Sequence, residues 1–243
     1  VVLGCIADGE ILFTERMATD SGKTELDYAI SLKMVLELRE IKVSEITGAI
    51  IGSVVPPVTS LMREAIRKVT GQEALVVNVD MNIGLEVLMD NPSSVGTDLI
   101  VGAVAGINRY PVPLILIDMG TATTICVVNE NKQYIGGMIL PGIGVSMNSL
   151  TSRTAQLPRI SLDPPKRLIG KNTVECMQSG ALYGNASCID GMVDRIEEEL
   201  GQKATVVATG GLARKIIPLC RHQIELDDEL LLRGLWIIYK KNK

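Results

Sequence analysis

The run Ile117-Asp118-Met119-Gly120-Thr121-Ala122-Thr123-Thr124 ends an apolar stretch with a carboxylate and places a glycine two residues later. A glycine there lets backbone N–H groups turn outward, and the hydroxyls of Thr121, Thr123 and Thr124 add further donors. Such a loop can cradle phosphate while Asp118 holds a cation or its waters. An ordinary Thr-rich hairpin is the other reading of the same residues. Gly96-Thr97-Asp98 opens a helical run. Asp98 either satisfies N–H groups of the first turn or serves as a general base that accepts a hydroxyl proton during phosphoryl transfer. Gly136-Gly137 with Pro141-Gly142 leads into a helix N-terminus, where glycines permit close approach of backbone to a ligand. Ala208-Thr209-Gly210-Gly211 reads as strand, double glycine and helix, a platform suited to the adenosine side of a nucleotide. Both glycine clusters also read as plain turns. His222, between Arg221 and Gln223, reads as a solvated loop residue, Cys126 as core, and Glu197–Glu199 as a solvated helix face.

The elements that must position these groups alternate between strand and helix. Val1–Ile6 and Glu10–Met17 flank Asp8-Gly9, a strong hairpin signal. Residues 24–40 suit an amphipathic helix through Leu26, Ile30, Met34, Leu36 and Leu38. A strand over 48–55, a helix over 58–69 and a strand over 74–79 follow. A turn-rich stretch then leads into a helix over 99–109, which Pro111-Val112-Pro113 closes. Beyond it come strands over 114–118, 124–129 and 133–140 and a helix over 144–150. A long helical run over 173–200 is interrupted near Gly180 and Gly184. A strand over 205–209 and a last helix over 229–239 complete the chain. Strands alternating with helices imply an α/β fold with parallel members. Two copies of a hairpin-then-βα pattern suggest a duplicated domain around a central cleft. The expected division is residues 1–112 and 113–243, with the last helix packing back on the first domain.

The chain has 243 residues, 47% hydrophobic and 21% charged, which excludes intrinsic disorder and allows a sizeable core. Aromatic residues make only 3% and the net charge is −4, so few platforms exist for stacking bases and the charge argues against a protein built to hold nucleic acid phosphates. Nucleic acid is therefore not an expected partner, and no apolar run is long enough for a membrane span. Five widely spaced cysteines without a CxxC pair argue against disulfides and zinc ribbons and for a reducing, cytoplasmic setting. With one histidine, a catalytic triad or multi-His metal site could be built only around His222. Val1 opens directly into a strand, with no initiator Met or signal-peptide pattern, which implies a trimmed or absent leading part.

Together these motifs resemble the type III pantothenate kinases. The resemblance rests on Asp118-Met119-Gly120-Thr121, Gly136-Gly137, Pro141-Gly142 and Thr154-Ala155-Gln156-Leu157-Pro158. It extends to Ser53-Val54-Val55-Pro56-Pro57, Asp90-Asn91-Pro92 with Val95-Gly96-Thr97-Asp98, Gly170-Lys171-Asn172-Thr173 with Met177-Gln178-Ser179-Gly180, and Ala208-Thr209-Gly210-Gly211-Leu212-Ala213. It runs in order along almost the whole chain.

The resemblance implies two ribonuclease H-like domains around a central cleft, the actin-like ATPase fold, in a cytoplasmic homodimer. The implied reaction is ATP-dependent phosphorylation of pantothenate, the entry step to coenzyme A. By position, Asp98 matches the catalytic base and Asp118 the ligand of a monovalent cation, K⁺ or NH₄⁺, with Mg²⁺ accompanying ATP. Gly120, Thr121, Thr123, Gly210 and Gly211 fall at ATP-contacting positions. Gly96, Thr97, Leu99, Met89 and Thr154 fall at or beside pantothenate-contacting ones, Thr154 from the neighbouring subunit.

Three departures from the family pattern stand out. An Asp-x-Gly-Asn-Thr phosphate loop, and the strand that bears it, would precede Val1. Leu99 stands where the family has Arg, and Met89 where it has Tyr. An Arg offers a carboxylate a fixed cationic fork, and Leu offers none. A kinase with a changed acceptor, or a non-catalytic module that binds nucleotide or a partner, would also fit these departures.

Overall fold

A computed structural model describes residues 1–78 and 80–243. In chain order the elements are β1 (Val2–Ala7), β2 (Glu10–Arg16), α1 (Glu25–Leu38), β3 (Ala49–Ile51), α2 (Pro56–Thr70), β4 (Ala74–Val76), β5 (Glu86–Val87) and α3 (Thr97–Arg109). They continue with β6 (Leu114–Met119), β7 (Ala122–Val128), β8 (Gln133–Pro141), α4 (Ile143–Ser152), α5 (Thr173–Leu200), β9 (Thr205–Thr209), α6 (Ala213–Ile216), β10 (Glu225–Leu226) and α7 (Leu230–Asn242). Val79, the end of the expected fourth strand, lies outside the described residues.

Two compact units divide the chain, each from several segments. Unit 1 holds residues 1–84, 91–105 and 231–243, and unit 2 holds 85–90 and 106–230. In unit 1, β1 and β2 form an antiparallel hairpin whose turn residues Asp8 and Gly9 both have positive φ, 50° and 89°, the geometry that Asp-Gly favours. β3 and β4 form a separate parallel pair. Thr24 caps α1 in a reciprocal capping box with Asp27. Helix α1 buries Tyr28, Ala29, Leu32 and Leu36, whereas Leu26, Ile30, Met34 and Leu38 stay exposed. Of the five positions expected on its apolar face only Leu36 is buried: the helix is apolar on two faces, and the i, i+4 stripe Leu26, Ile30, Met34 and Leu38 is the solvent-facing one.

In unit 2 six strands form one mixed sheet in the order β10-β9-β6-β7-β8-β5. β6 pairs antiparallel with β7 and parallel with β9. Ile115, Ile117 and Met119 of β6 and Ile125 and Val127 of β7 pack in one buried cluster with Leu182, Ile189 and Val193 of α5. The α5 helix runs unbroken over 28 residues, so the expected interruption at Gly180 and Gly184 does not occur. Each glycine costs about 1 kcal/mol relative to Ala in a helix. Burial of the neighbouring Met177, Ala181, Leu182 and Ala186 outweighs that cost. Among the described residues no helix is long and apolar enough to cross a membrane.

Candidate active site

Asp118 sits at the C-terminal end of β6, after four fully buried apolar residues, and is itself half-buried. The sheet register fixes its neighbours. Asp118 lies opposite Thr124 of β7 and beside Thr209 of β9. The turn Gly120-Thr121 therefore leaves the sheet next to the turn Gly210-Gly211. Gly210 has φ +97°, and a β-carbon there would lie 2.6 Å from Asp118 Oδ1 and 2.6 Å from the Met119 amide nitrogen. At Gly120 a β-carbon would stand 3.5 Å from the same oxygen. A β-carbon on Gly142, at the start of α4, would run into the Thr121 carbonyl. One end of the unit 2 sheet thus gathers Asp118, Gly120, Thr121, Gly142, Gly210 and Gly211, with Gly120, Thr121 and Gly211 exposed.

The threonines of this turn do not act alike. Thr123 lies opposite Met119, and both residues share the face that packs against α5. Its side chain is 5% exposed and its Oγ1 has no hydrogen-bond partner among the described residues. Thr124 shares the face of Asp118 instead, because side chains alternate along a strand. Thr121 is the one fully at the surface.

In unit 1, Gly96-Thr97-Asp98-Leu99 forms the entry to α3, and all four residues are half-buried. The Ile100 amide donates to the Gly96 carbonyl at 3.2 Å, and the Thr97 hydroxyl donates to the Ser53 carbonyl at 2.9 Å, which ties the turn to the end of β3. Asp98 Oδ1 accepts from the Leu99 amide at 2.9 Å. One carboxylate oxygen is thus engaged by the first helical turn, as an acidic residue there commonly is. A β-carbon at Gly96 would come within 2.5 Å of Asp98 Oδ1.

Met89 belongs to unit 2, half-buried just after β5, with its sulfur 3.7 Å from where a β-carbon on Gly136 would be. Thr154, also in unit 2, is exposed just beyond α4, and its hydroxyl donates to the Leu150 carbonyl at 2.8 Å.

The Asp118 corner suits a cation. Its half-buried carboxylate is the hard oxygen ligand such ions take, and glycine at 210 keeps away a β-carbon that would stand 2.6 Å from Oδ1. A second group, Asp194, Glu197 and His222, brings one ligand atom from each residue within 4.8 Å of the others. It corrects two sequence expectations. Glu197 is 8% exposed, not solvated, because its carboxylate accepts from the Ala204 amide at 3.1 Å and from Lys203 Nζ at 2.6 Å. His222 is half-buried, with Nε2 2.9 Å from Asp194 Oδ1 and its backbone amide donating to Asp190. Sequence reading also passed over buried Asp227, which accepts from the Tyr110 hydroxyl at 2.9 Å. The two are 117 residues apart, and only the position of Asp227 ahead of α7 signals it.

A family model for type III pantothenate kinase matches residues 1–195. A type III pantothenate kinase from Bacillus cytotoxicus is 44% identical over 241 residues, which cover 99% of this chain and 92% of that protein. Among solved structures, the activator of the 2-hydroxyisocaproyl-CoA dehydratase from Clostridium difficile, with bound ADPNP, superposes with a TM-score of 0.52 at 13% identity, covering 96% of this chain and 87% of that one. That likeness concerns the fold, which is the mixed α/β fold of the actin-like ATPases.

Proposed function

Because the chain belongs to the type III pantothenate kinase family, we propose that it transfers the terminal phosphoryl group of ATP to the hydroxyl of pantothenate, giving 4'-phosphopantothenate for coenzyme A biosynthesis. The observation that carries this reading is the 44% identity over 99% of the chain. The glycine-built corner around Asp118 supports it. Phosphoryl transfer asks for positioning and charge neutralisation more than for covalent chemistry, and backbone amides, hydroxyls and carboxylates supply both.

In this reading Asp98 is the general base. Its half-buried carboxylate accepts the proton of the acceptor hydroxyl as the oxygen attacks phosphorus, and the leaving group is ADP. Gly120, Thr121, Gly210 and Gly211 receive the nucleotide, with amides and the Thr121 hydroxyl donating to phosphate oxygens. Thr123, whose hydroxyl turns inward onto the face of Met119, contributes through its backbone alone. Asp118 would hold a monovalent cation, K⁺ or NH₄⁺, which together with Mg²⁺ on ATP lowers the negative charge that the attacking oxygen meets. Gly96, Thr97 and Leu99 of unit 1 are given to pantothenate, as is Met89 of unit 2, with Thr154 contributed by a second copy of the chain. The exposed apolar residues Ile139, Val145 and Leu150 of unit 2 support such a homodimer. Five free cysteines suit a cytoplasmic setting, and the net charge of −4 suits an enzyme that does not bind nucleic acid.

Leu99 motivates a second reading, in which the acceptor is a different hydroxy acid. Incubating the purified protein with MgATP, K⁺ and either pantothenate or related hydroxy acids, and following product mass and ADP release, separates the two. Turnover of another acceptor with none of pantothenate would replace the first reading with the second.

A further inference from the structure

Three carboxylates lie along one stripe of α5. Asp190, Asp194 and Glu197 are spaced i, i+4 and i+7, which places them on one face of the helix. Two later segments of unit 2 are tied to that stripe. The link between α5 and β9 is held by Glu197, whose carboxylate accepts from the Ala204 amide at 3.1 Å and from Lys203 Nζ at 2.6 Å. The segment ahead of β10 is held by Asp190, which accepts from the Arg221 amide at 2.9 Å and from the His222 amide at 3.1 Å. These bonds fix the His222 backbone against the helix. Its ring then meets the same stripe, with Nε2 2.9 Å from Asp194 Oδ1.

One imidazole nitrogen and two carboxylates thus converge from separate segments. A ligand atom from each of Asp194, Glu197 and His222 lies within 4.8 Å of the other two. Donors around a tetrahedral zinc stand roughly 3.4 Å apart, given bonds of about 2.0–2.2 Å. Rotation of Asp194, which is exposed, closes that difference. The electrostatics of the cluster also favour a cation. Glu197 is 8% exposed, yet the ammonium that balances it, on Lys203, is 82% exposed. A buried carboxylate is therefore matched by a hydrated charge on a flexible stem, which can give way to a cation seated closer. Asp194 adds a second negative charge one turn away on the same face, where like charges repel.

We propose that Asp194, Glu197 and His222 bind a divalent transition-metal ion of the zinc type, with water completing its coordination. The imidazole sets the class, because Mg²⁺ and Ca²⁺ take oxygen donors whereas zinc takes nitrogen and oxygen together. The ion replaces the proton on Nε2, which moves to Nδ1 or leaves to solvent. Bound there, it fastens α5 to the segment that leads into β10, the two-residue edge strand of the six-stranded sheet. The site lies away from Asp118. Ala204 immediately precedes Thr205, the register partner of Leu114 at the start of β6, and Asp118 is four residues further along that strand, about 13 Å. The inference does not depend on the catalytic reading.

His222 is the one histidine of the chain, so its ring nitrogens give a single pair of NMR signals that report the site directly. The test titrates the full chain, first stripped with a chelator, with Zn²⁺ and separately with Mg²⁺. The expected result is a shift of the His222 Nε2 signal that saturates at one equivalent of Zn²⁺, with amide exchange slowed just ahead of β10. Mg²⁺ at the same concentration should leave the signal in place. Asp194→Asn keeps the shape of an exposed side chain and should weaken Zn²⁺ binding by at least about tenfold. The proposal is overturned if Zn²⁺ leaves the ring signals unmoved. Equal Zn²⁺ binding by the natural protein and Asp194→Asn would also overturn it, since the imidazole would then bind alone. An equal response to Mg²⁺ would do the same, by showing only the screening of acidic groups.

Discussion

Gly210 is pressed against Asp118: a β-carbon at position 210 would lie 2.6 Å from the Asp118 Oδ1, and the backbone there holds φ at +97°. The strand pairing of β6 with β9 imposes this, since Asp118 and Thr209 are register partners and the turn after each must pass the other. The proposed cation and nucleotide corner is thus set by sheet register, with glycine as the residue that allows two turns to share one space.

Gly210→Ala should therefore be costly. It combines a left-handed backbone with a clash against carboxylate and main chain, on the order of 1–3 kcal/mol from the backbone alone. Gly120→Ala is the control, because its β-carbon would meet Asp118 at an ordinary 3.5 Å. Urea unfolding should show a clear loss of stability for the first variant and little change for the second. Equal effects would show that the turns do not share space as described.

A second prediction concerns pH. Burial acts to raise the pKa of Glu197, but the bonds from Lys203 and the Ala204 amide more than offset it, and the carboxyl is held below its usual value of 4.5. Lys203 is 82% exposed, so its ion pair is screened and the buried amide bond matters more. A carboxylate with a lower pKa folded than unfolded contributes stability that is full above the unfolded value. That contribution is lost as pH falls through the folded one. The stability gap between the natural protein and Glu197→Gln should accordingly narrow as pH drops from about 6 to about 3. A gap that stays constant over that range would contradict the assignment.

The cysteines should separate by reactivity. Burial, with Asp190 nearby, pushes the Cys220 thiol up to about 12, and Cys126 is 2% exposed. Cys176 is exposed in the first turn of α5. Iodoacetamide at mildly alkaline pH should modify Cys176 in the folded protein and reach Cys126 and Cys220 only after denaturation, read by peptide mass. Modification of Cys220 as fast as Cys176 would show that its surroundings are open.

Much of this architecture is legible in the residues because the signals are local. Asp8-Gly9 places a hairpin, Thr24 starts a helix through its capping box, and the apolar run before Asp118 ends where the strand does. What sequence misplaces depends on partners distant along the chain. Four of the five apolar residues expected on the core face of α1 are exposed, and Tyr28, Ala29 and Leu32 join the fifth, Leu36, against the rest of unit 1. Glu197 reads as solvated until the backbone amide of Ala204 is brought to it. At the site, the turn chemistry around Asp118 is visible in sequence. Which threonine faces the core is decided by register, and it is Thr123 that turns inward.

The acceptor side yields a further prediction. Leu99 begins the first turn of α3 beside Asp98 and offers a carboxylate no charge. Leu99→Arg should lower the KM for pantothenate by about tenfold, the worth of one charge-assisted hydrogen bond. The turnover number should change little, since the interaction is made equally before and during transfer. An unchanged or higher KM would show that the pantothenate carboxylate is held elsewhere.

The central claim is that this chain phosphorylates pantothenate with Asp98 as the base. Its most direct measurement is the rate of 4'-phosphopantothenate formation from MgATP by the natural protein and by Asp98→Asn, each first shown to be folded. The account predicts turnover by the natural protein and a loss on the order of a hundredfold or more in kcat for the variant, the scale of general base catalysis. Undiminished turnover by Asp98→Asn would contradict the role given to that residue. A natural protein that binds ATP yet forms no 4'-phosphopantothenate would contradict the claim itself.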